Sequence, residues 1–314
     1  MLIKNKEFIC KGPMQLEEFL STKTLDDVLG PAPKALVSIS TENSIVDTYA
    51  QLNKNGVNAV AVYNSDANNY CSWISRFDLL AYALQCDVFT GDFAKISKFF
   101  NSRVKQVTTL QNPFKVFDHK ATLMQALNGF TVLKAKKFLV KRGEEFFAFT
   151  EIDFLAFLFT AMEEIPSFVQ SSVKGLFDFL QRNGKENFEC INSHQSALLA
   201  FEKMIAHKRS ALGIVDDHHA MVGHISCSDF AGTEHSINAC HKEVLAFLKD
   251  TNKVCAVQVK EAWAIHPQFT IGEALGKMLY YAIHQLWWLD AETMKPLLMV
   301  RADDFIQFIS TLIK

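Results

Sequence analysis

Four times along the chain, an amphipathic helical pattern is followed by two short apolar runs. Each helical pattern opens at a hydroxyl residue and continues with apolar residues at helical spacing; Ser44, for example, precedes Ile45, Tyr49 and Leu52. A Ser or Thr oxygen in this place can accept a hydrogen bond from a free amide of the first helical turn. The pattern therefore predicts four helices with hydroxyl N-caps. These N-caps are Ser44, Thr122, Ser196 and Thr270.

The apolar runs after each helix are short enough to be strands. The first run of each unit is predicted to be a buried strand, and a polar turn such as 64–69 leads to a second strand. The first strands are 57–63, 138–140, 211–215 and 286–289, and the second are 72–75, 146–150, 221–226 and 297–300. An Asp after the second strand then opens a further helix. With a leading strand, one unit reads strand, helix, strand, strand, helix.

The junction between the second strand and the last helix has a recurring sequence. It is [Ser/Thr]-x-x-Asp in three units, and the fourth keeps the Asp but has Arg in place of the hydroxyl residue. The pairs are Ser75 and Asp78, Thr150 and Asp153, Ser226 and Asp229, and Arg301 and Asp304. The four Asp, which we name the junction aspartates, are separated by 75, 76 and 75 residues. This regular interval indicates tandem repeats.

The order of elements, the period and the junction resemble those of CBS domains. Four such repeats in tandem resemble the gamma subunit of AMP-activated protein kinase and related quadruple-CBS proteins of plants and fungi. The resemblance covers roughly residues 34–312, although the family's frequent Leu-Pro-Val in the second strand is absent and only Gly223 keeps the Gly often found before the junction. It implies an α/β (α+β) fold of four βαββα repeats, in which repeats 1 and 2 pair, and repeats 3 and 4 pair, each about a pseudo-two-fold axis.

The repeats set the expected domain boundaries. A rigid Gly-Pro-Ala-Pro break at 30–33 separates the first repeat from what precedes it. The expected segments are an N-terminal extension (1–33), repeat 1 (34–84), a linker (85–112), repeat 2 (113–159), a linker (160–187), repeat 3 (188–232), a linker (233–254) and repeat 4 (255–314). The linkers contain further helical patterns.

The junction aspartates are the candidate ribose ligands. The resemblance implies clefts between paired repeats, in which adenine lies between apolar strand segments and this Asp receives the ribose hydroxyls. A carboxylate only accepts hydrogen bonds, so it can receive both hydroxyls, and the amides at a helix N-terminus favour an anion. A second interpretation stays open, because Ser or Thr followed by an acid also forms a capping box without any ligand. The candidates are Asp78, Asp153, Asp229 and Asp304.

Basic and hydroxyl residues near the junctions are the candidate phosphate ligands. The segment 282–286, Ala-Ile-His-Gln-Leu, resembles the family's Val-His-Arg-Leu, in which His and Arg face bound phosphates; here His284 matches and Gln285 replaces the Arg. The resemblance places phosphate contacts at Ser75, Thr150, Ser226, Lys136, Lys137, Arg209, Ser210, His284 and Arg301. Repeat 1 has the neutral Asn58 at the corresponding position. Because charge-assisted bonds to phosphate are roughly twice as strong as neutral ones, repeats 3 and 4 are expected to bind nucleotide best.

Several of these residues have a structural alternative. Lys136 and Lys137 could be a solvated helix end, and His284 could be a packed core histidine. Arg301 could supply charge to a phosphate or pair with Asp303, and the sequence does not choose between these.

Composition and charge narrow the function classes. With 32 basic and 34 acidic residues the net charge is −2, so neither nucleic acid nor a membrane is an expected partner. The seven cysteines have no CxxC spacing, which favours reduced thiols, and the apolar stretch 146–162 is short for a membrane span and contains Glu151 and Asp153. No secretory leader is apparent at the N-terminus. The expected location is the cytoplasm, with the nucleus as a second compartment.

The expected function is regulatory and not enzymatic. No Gly-x-Ser-x-Gly, His-Glu-x-x-His or glycine-rich phosphate loop occurs, and no catalytic residue, metal site or catalytic cofactor is assigned. The expected ligands are AMP, ADP or ATP, sensed on behalf of a protein partner, either in a kinase complex, as a gamma-like subunit for energy sensing, or in a homodimer. The alternative is a scaffold protein with degenerate, ligand-free CBS clefts filled by its 27 Phe and four Trp.

Overall fold

Four small β-sheets, one for each predicted repeat, organise the chain. The structure is a computed structural model that describes residues 13–107, 114–184, 188–251 and 263–313. Each sheet has three strands in chain order, with the first parallel to the second and the second antiparallel to the third. The predicted α/β repeat fold is therefore confirmed. The predicted first residues of the N-terminal extension (1–12) and of repeat 4 (255–262) lie outside the described residues.

The first half of the chain contains two N-terminal helices followed by repeats 1 and 2. The N-terminal helices are α1 (Leu16–Thr22) and α2 (Leu25–Leu29). Repeat 1 and the segment after it contain β1 (Ser38–Ser40), α3 (Ile45–Asn55), β2 (Ala59–Asn64), β3 (Asn69–Ser75), α4 (Arg76–Gln85), a 3-10 turn (Val88–Thr90), α5 (Phe93–Asn101) and α6 (Val104–Val107). Repeat 2 contains β4 (Val116–Asp118), α7 (Leu123–Thr131), β5 (Lys137–Arg142), β6 (Glu145–Thr150) and α8 (Glu151–Thr160).

The second half repeats this order. Its leading helices are α9 (Pro166–Val169) and α10 (Lys174–Arg182). Repeat 3 and the segment after it contain β7 (Cys190–Asn192), α11 (Ala197–Ala206), β8 (Ala211–Val215), β9 (Met221–Ser226), a 3-10 turn (Cys227–Asp229), α12 (Glu234–Ala239) and α13 (Val244–Asp250). Repeat 4 contains β10 (Ala264–Ile265), α14 (Ile271–Tyr280), β11 (Gln285–Leu289), β12 (Pro296–Arg301) and α15 (Ala302–Leu312).

The first helix of every repeat begins where the sequence predicts it. The side-chain oxygen of each predicted N-cap accepts a hydrogen bond from the backbone amide three residues later, which satisfies one free amide of the first turn. The N-caps are Ser44, Thr122, Ser196 and Thr270.

The second helix differs in repeat 3. The sequence predicts a helix after every junction aspartate, but the chain after Ser226 makes only a 3-10 turn and becomes extended at Phe230. Gly232 then adopts a φ of +66°, and its α-carbon lies so close to Tyr49 of repeat 1 that an added Cβ would be 2.3 Å from the ring. The helix prediction is wrong here: the chain leaves the junction in an extended form, and its close approach to this ring of another repeat requires a residue without a side chain at position 232.

The sheets pair within each half of the chain. Ala61 and Trp73 of repeat 1 pack against Leu139 of repeat 2. In the second half, Met221 of repeat 3 packs in one cluster with Trp287 of repeat 4. Repeats 1 and 2 therefore form one module, and repeats 3 and 4 form a second, as the resemblance implies. We name them module 1 and module 2.

Helices join the two modules. One apolar core contains helices of repeats 1 and 3, with Leu80 and Phe201 among its buried members. Another contains helices of repeats 2 and 4, with Leu127 and Phe305 fully buried. Each repeat thus contacts its module partner through a sheet and a repeat of the other module through helices.

The segment that precedes each module covers the module's second repeat. Thr24 forms a β-bridge with Thr122 of repeat 2, and the amide of Leu25 donates to the carbonyl of Ala121. In module 2, Ser172 forms the equivalent bridge with Thr270 of repeat 4. The first repeats are covered by the segments that follow them, through the bridges Ser44 with Arg103 and Ser196 with Glu243. The helices at 16–29 and 166–182 are therefore structural parts of their modules.

Candidate functional site

The four junctions have the same local geometry. The N-cap is the last residue of the third strand, and the junction aspartate is the third residue after it. In each junction, Oδ2 of the aspartate accepts a hydrogen bond from the backbone amide of the N-cap, at 2.8, 2.8, 2.7 and 2.9 Å in chain order. Strand register places each N-cap opposite the first residue of the second strand; the pairs are Ala59 and Ser75, Lys137 and Thr150, Ala211 and Ser226, and Gln285 and Arg301. The junction aspartates are therefore equivalent in the fold.

Each junction aspartate is part of a capping box. The Ser75 hydroxyl donates to Oδ2 of Asp78 at 2.6 Å, and the Thr150 hydroxyl donates to Oδ2 of Asp153 at the same distance. Among the described residues, the second oxygen, Oδ1, of Asp78 and of Asp153 has no hydrogen-bond partner. The capping role and a role in ligand binding are thus compatible, because they use different oxygens.

The exposure of the junction aspartates differs. Asp153 of repeat 2 is exposed, and Asp78 of repeat 1 is half-buried. Asp229 of repeat 3 is only 7% exposed and Asp304 of repeat 4 only 1%. A ligand can reach the first two carboxylates more readily than the last two.

Residues from three repeats meet near the junctions. The Nδ2 atom of Asn58 in repeat 1 is 3.1 Å from Nε2 of His284 in repeat 4. Lys137 of repeat 2 is close enough to His284, Asp78 and Glu151 for mutual electrostatic effects. The structure therefore brings predicted phosphate contacts of different repeats together. We name these five residues the central cluster.

The central cluster shifts the protonation of its members. Burial, together with the nearby Asp303 carboxylate, raises the pKa of Glu151 to about 8. Burial lowers the pKa of Lys137 to about 8, against the attraction of Asp78. Burial and the charge of Lys137 also lower the pKa of His284, whose side chain keeps access to solvent but is surrounded by protein atoms. At neutral pH the cluster therefore contains a charged lysine beside a largely protonated Glu151 and an uncharged histidine.

The other predicted phosphate contacts lie in distinct environments. Lys136 is exposed next to Lys137, which is the first residue of β5 rather than part of a helix end. Ser210 is exposed, and its carbonyl accepts a hydrogen bond from Cys227, as the Asn58 carbonyl does from the residue after Ser75. Arg209 is half-buried beside Ser210. His284 is exposed, which contradicts the alternative of a packed core histidine.

Arg301 is held by two carboxylates of its own repeat. Its Nη2 lies 2.9 Å from Oδ2 of Asp303, and its Nε lies 3.6 Å from Oδ2 of Asp304. These carboxylates raise the pKa of Arg301 above its usual value, although burial acts in the opposite direction. Of the two alternatives that the sequence left open, the structure shows the ion pair.

Comparisons with known proteins identify the fold. A Methanocaldococcus jannaschii protein, described as a proposed archaeal homologue of γ-AMPK, aligns over 91% of this chain and 99% of its own length, with 14% identity and a TM-score of 0.67. The fold is that of a tandem CBS protein. A conserved protein from Pyrococcus horikoshii aligns over 87% of this chain and 95% of its own length, with 14% identity and a TM-score of 0.52. No protein-family model and no curated protein matches the sequence.

Aromatic side chains fill both interfaces between paired CBS sheets. In module 1 the ring of Trp73 lies 5.1 Å from that of Phe114, and Nζ of Lys137 lies 5.5 Å from the centre of the Trp73 ring. In module 2 the fully buried Trp287 lies over Gly213, where an added Cβ would be 3.1 Å from Cη2 of the indole. These interfaces are packed like a protein core.

Two surface cavities of about 500 Å³ each lie away from the CBS junctions. One is bordered by Ser38, Tyr63 and Tyr70 of repeat 1, and the other by His119 and Arg142 of repeat 2 together with part of the N-terminal segment. Neither is lined by a junction aspartate. In the described part of the chain, no group of three or more His, Cys, Asp or Glu side chains could hold a metal ion, and no helix has the length and apolar character needed to cross a membrane.

Sequence reasoning missed three residues that shape the clefts, namely Glu151, Trp73 and His224. Glu151 belongs with Asp303 to the charged group around Lys137 and Arg301, but its place in the sequence gives no sign of this. Trp73 and His224 lie two residues before their N-caps on the third strand. Successive side chains of a strand point to opposite faces of the sheet, so these two lie on the same face as their N-caps. Strand alternation counted back from the N-cap could have found these two.

Proposed function

We propose that this chain is a non-catalytic regulatory protein that binds an adenine nucleotide at a CBS junction of module 1. One arrangement supports the proposal: the exposed Asp153 with an unused oxygen, the hydroxyl of Thr150, and the cations of Lys136 and Lys137. The carboxylate matches two ribose hydroxyls, and the two ammonium groups match a phosphate. The likeness to a proposed archaeal homologue of γ-AMPK supports the choice of adenosine compounds.

The site preference differs from that expected from sequence alone. Cation count favoured repeats 3 and 4, through Arg209 and His284. The ion pairs of Arg301, the burial of Asp229 and Asp304, and the lowered pKa of His284 all weaken that module as a nucleotide site. Module 1 offers the more accessible carboxylates, and we place the nucleotide there.

A thermal-shift series tests the proposal. The protein is heated with AMP, ADP, ATP, adenosine and S-adenosylmethionine, with inorganic phosphate and GMP as controls for charge and for the base. A ligand at 100 times its Kd stabilises the folded state by about 2.7 kcal/mol, which should raise Tm by several degrees. We expect a shift with at least one adenine nucleotide and a smaller one with adenosine. The absence of a shift with every adenosine compound would refute the proposal.

A regulatory ligand needs an output, and we propose that the output is a protein contact. The partner would be either a kinase complex, with this chain as a gamma-like subunit, or a second copy of the chain, in the cytoplasm or nucleus where adenine nucleotides are abundant. Light scattering with and without AMP tests the homodimer: a change of mass from one chain to two supports it, and a constant monomer mass argues against it.

A second candidate function has its own supporting observation. Trp73 and Trp287 fill the sheet interfaces in which CBS clefts lie, as a ligand-free scaffold would require. The two candidates make opposite predictions for the thermal-shift series. A protein that responds to no adenosine compound and still binds a protein partner would be the scaffold.

A further inference from the structure

One position in each repeat determines whether the cleft beside the junction has room. This position lies two residues before the N-cap, on the third strand, and strand register places it opposite the middle of the second strand. In module 1 its side chain belongs to the cluster between the two sheets. The four residues are Trp73, Ala148, His224 and Met299. We name this the gate position.

The gate of repeat 1 is closed by an aromatic contact across the module. Trp73 is 7% exposed, and its ring packs against Phe114 of repeat 2. Lys137 of repeat 2 places its ammonium group 5.5 Å from the same ring, a cation–π contact that holds both side chains. A base could enter here only if this contact opened.

The gate of repeat 3 is closed because its gate residue and its junction aspartate are both buried, the aspartate near a charged residue of module 1. His224 is buried, and burial lowers its pKa, so it is an uncharged ring at neutral pH. The neighbouring Asp229 is also buried, and Arg76 of repeat 1 interacts with it electrostatically. The buried carboxylate therefore already interacts with a positive charge of the other module.

The gate of repeat 4 is closed by the burial of its gate residue and by an ion pair at its junction aspartate. Met299 is buried in the cluster between the sheets of module 2. Asp304 is 1% exposed, and Arg301 pairs with it and with Asp303. A ribose would have to displace an internal ion pair to reach Asp304.

The gate of repeat 2 is the least obstructed of the four. Ala148 has the smallest side chain of the gate residues, and it stays partly accessible at the edge of the cluster that contains Trp73. Beyond it, Asp153 is exposed and its Oδ1 has no partner among the described residues. Lys136 adds an exposed cation at the same junction. A small gate residue, an exposed acceptor and an exposed positive charge coincide only at this one of the four junctions.

We infer that the chain binds one adenine nucleotide, in the cleft of repeat 2, and that its own side chains close the other three clefts. This inference rests on the proposed function and adds the number of sites, the repeat that holds the ligand, and the residues that exclude it elsewhere. The ligand's ribose lies against Asp153, its phosphate lies near Lys136, and its base lies over Ala148.

Calorimetric titration of the full chain with AMP tests the inference. Wild type should bind one AMP per chain. Asp153→Ala should weaken binding at least tenfold, because both ribose hydrogen bonds to a charged acceptor are lost. Ala148→Trp, which copies the residue found at the gate of repeat 1, should prevent binding. Asp47→Ala is the matched control, because Asp47 forms the same kind of capping box with Ser44 at the start of α3. This control variant should bind AMP as wild type does.

A second variant tests the closed gates. Trp73→Ala removes the aromatic contact of repeat 1, and its unfolding curve is measured first to show that the chain is folded. The folded variant should bind two AMP molecules per chain instead of one. If this variant does not fold, Trp73→Leu is the smaller change that partly opens the gate, and weak binding of a second AMP is then expected.

The outcomes separate this inference from the proposed function. Two or more AMP per wild-type chain would overturn the single open gate, and so would a larger loss for Asp78→Ala or Asp229→Ala than for Asp153→Ala; nucleotide binding itself would stand in both cases. Unaltered binding by Ala148→Trp would also overturn the gate. No binding of AMP, ADP or ATP to wild type would end both the inference and the proposed function.

Discussion

Replacing Glu151 with Gln should stabilise the folded protein at neutral and mildly alkaline pH. Glu151 is the first residue of α8, where its carboxyl is half-buried. Burial and the Asp303 carboxylate raise its pKa from 4.5 to about 8. Gln has nearly the same shape and carries no charge at any pH, so the substitution removes the cost of ionising this group inside the protein.

The size and sign of the effect depend on pH. A carboxyl whose pKa is raised by folding contributes stability that is fully present below pH 4.5 and is lost as pH rises through 8. At 1.36 kcal/mol per pH unit, the difference between the two pKa values sets an upper limit of about 5 kcal/mol. Because Glu151 is not fully buried and its surroundings are partly solvated, we expect a gain of about 1–3 kcal/mol at pH 8. Below pH 5 the gain should nearly vanish.

Thermal unfolding at pH 5 and pH 8 measures this difference. A gain of 1 kcal/mol corresponds to a Tm increase of about 2–4 °C for a unit of 150–250 residues, and the effect per module should be of this order. Glu151→Gln should therefore unfold several degrees above wild type at pH 8 and at nearly the same temperature at pH 5. Glu145→Gln is the control, because Glu145 is exposed at the start of β6.

Two results would refute the reasoning. Equal Tm differences at pH 5 and pH 8 would show that the carboxyl does not titrate in this range. A variant that is less stable than wild type at pH 8 would show that the ionised carboxylate is held by Lys136, Lys137 or Arg301 strongly enough to outweigh burial.

Three further predictions concern the pH dependence of AMP binding, the turn at Gly232 and the N-terminal helices. AMP affinity should fall between pH 7 and pH 9, measured by calorimetry, because Lys137 loses its charge and Glu151 gains one in that range. The charged and titratable groups that face these two are Asp78, Lys136, His284, Arg301 and Asp303. Gly232→Ala should lower Tm far more than Gly143→Ala, since both positions have positive φ but only the first would place a Cβ 2.3 Å from Tyr49. Equal decreases of Tm would show that the contact with Tyr49 does not contribute to the effect. Deletion of residues 1–29 should destabilise the chain by several kcal/mol in urea unfolding, because it removes the fully buried Phe19, Leu20 and Leu25 and exposes the apolar surface on which they pack. An unchanged midpoint would contradict this.

Much of the fold could be predicted because its signals are local. A hydroxyl N-cap, helical spacing and an apolar strand are each written within about ten residues, and the junction repeats them four times. Ser44 and Thr122 begin helices for reasons that need no distant partner. The 3-10 turn after Ser226 could not be predicted, because it leads into a close contact between Gly232 and the ring of Tyr49, which lies about 180 residues earlier in the chain.

The candidate site was predictable only in part for the same reason. The junction aspartates follow from the repeat, but their exposure depends on packing in three dimensions; Asp229, for example, is buried and interacts electrostatically with Arg76 of the other module. The two alternatives for Arg301, a phosphate contact and an ion pair with Asp303, depend on whether a carboxylate lies near its guanidinium group in space. Counting cations along the sequence therefore favoured module 2, whereas the three-dimensional partners of those cations favour module 1.

The cover of repeat 2 by the N-terminal helices determines the order in which the chain can fold as it is made. Lys23 accepts a backbone hydrogen bond from Leu123, so the two sides of this contact are synthesised roughly 100 residues apart. At about 5–20 residues per second, α1 and α2 wait on the order of 5–20 s for their partner surface. Helices this short do not persist alone, and their apolar residues stay uncovered during that time.

The same delay gives neighbouring chains an opportunity to exchange this segment. An N-terminal segment that has not yet found its own repeat 2 can cover the repeat 2 of a neighbouring chain on the same polysome, because the surface is identical. Repeat 1, whose cover follows it directly in the chain, has no such interval. Segment exchange between copies should therefore be confined to the second repeat of each module.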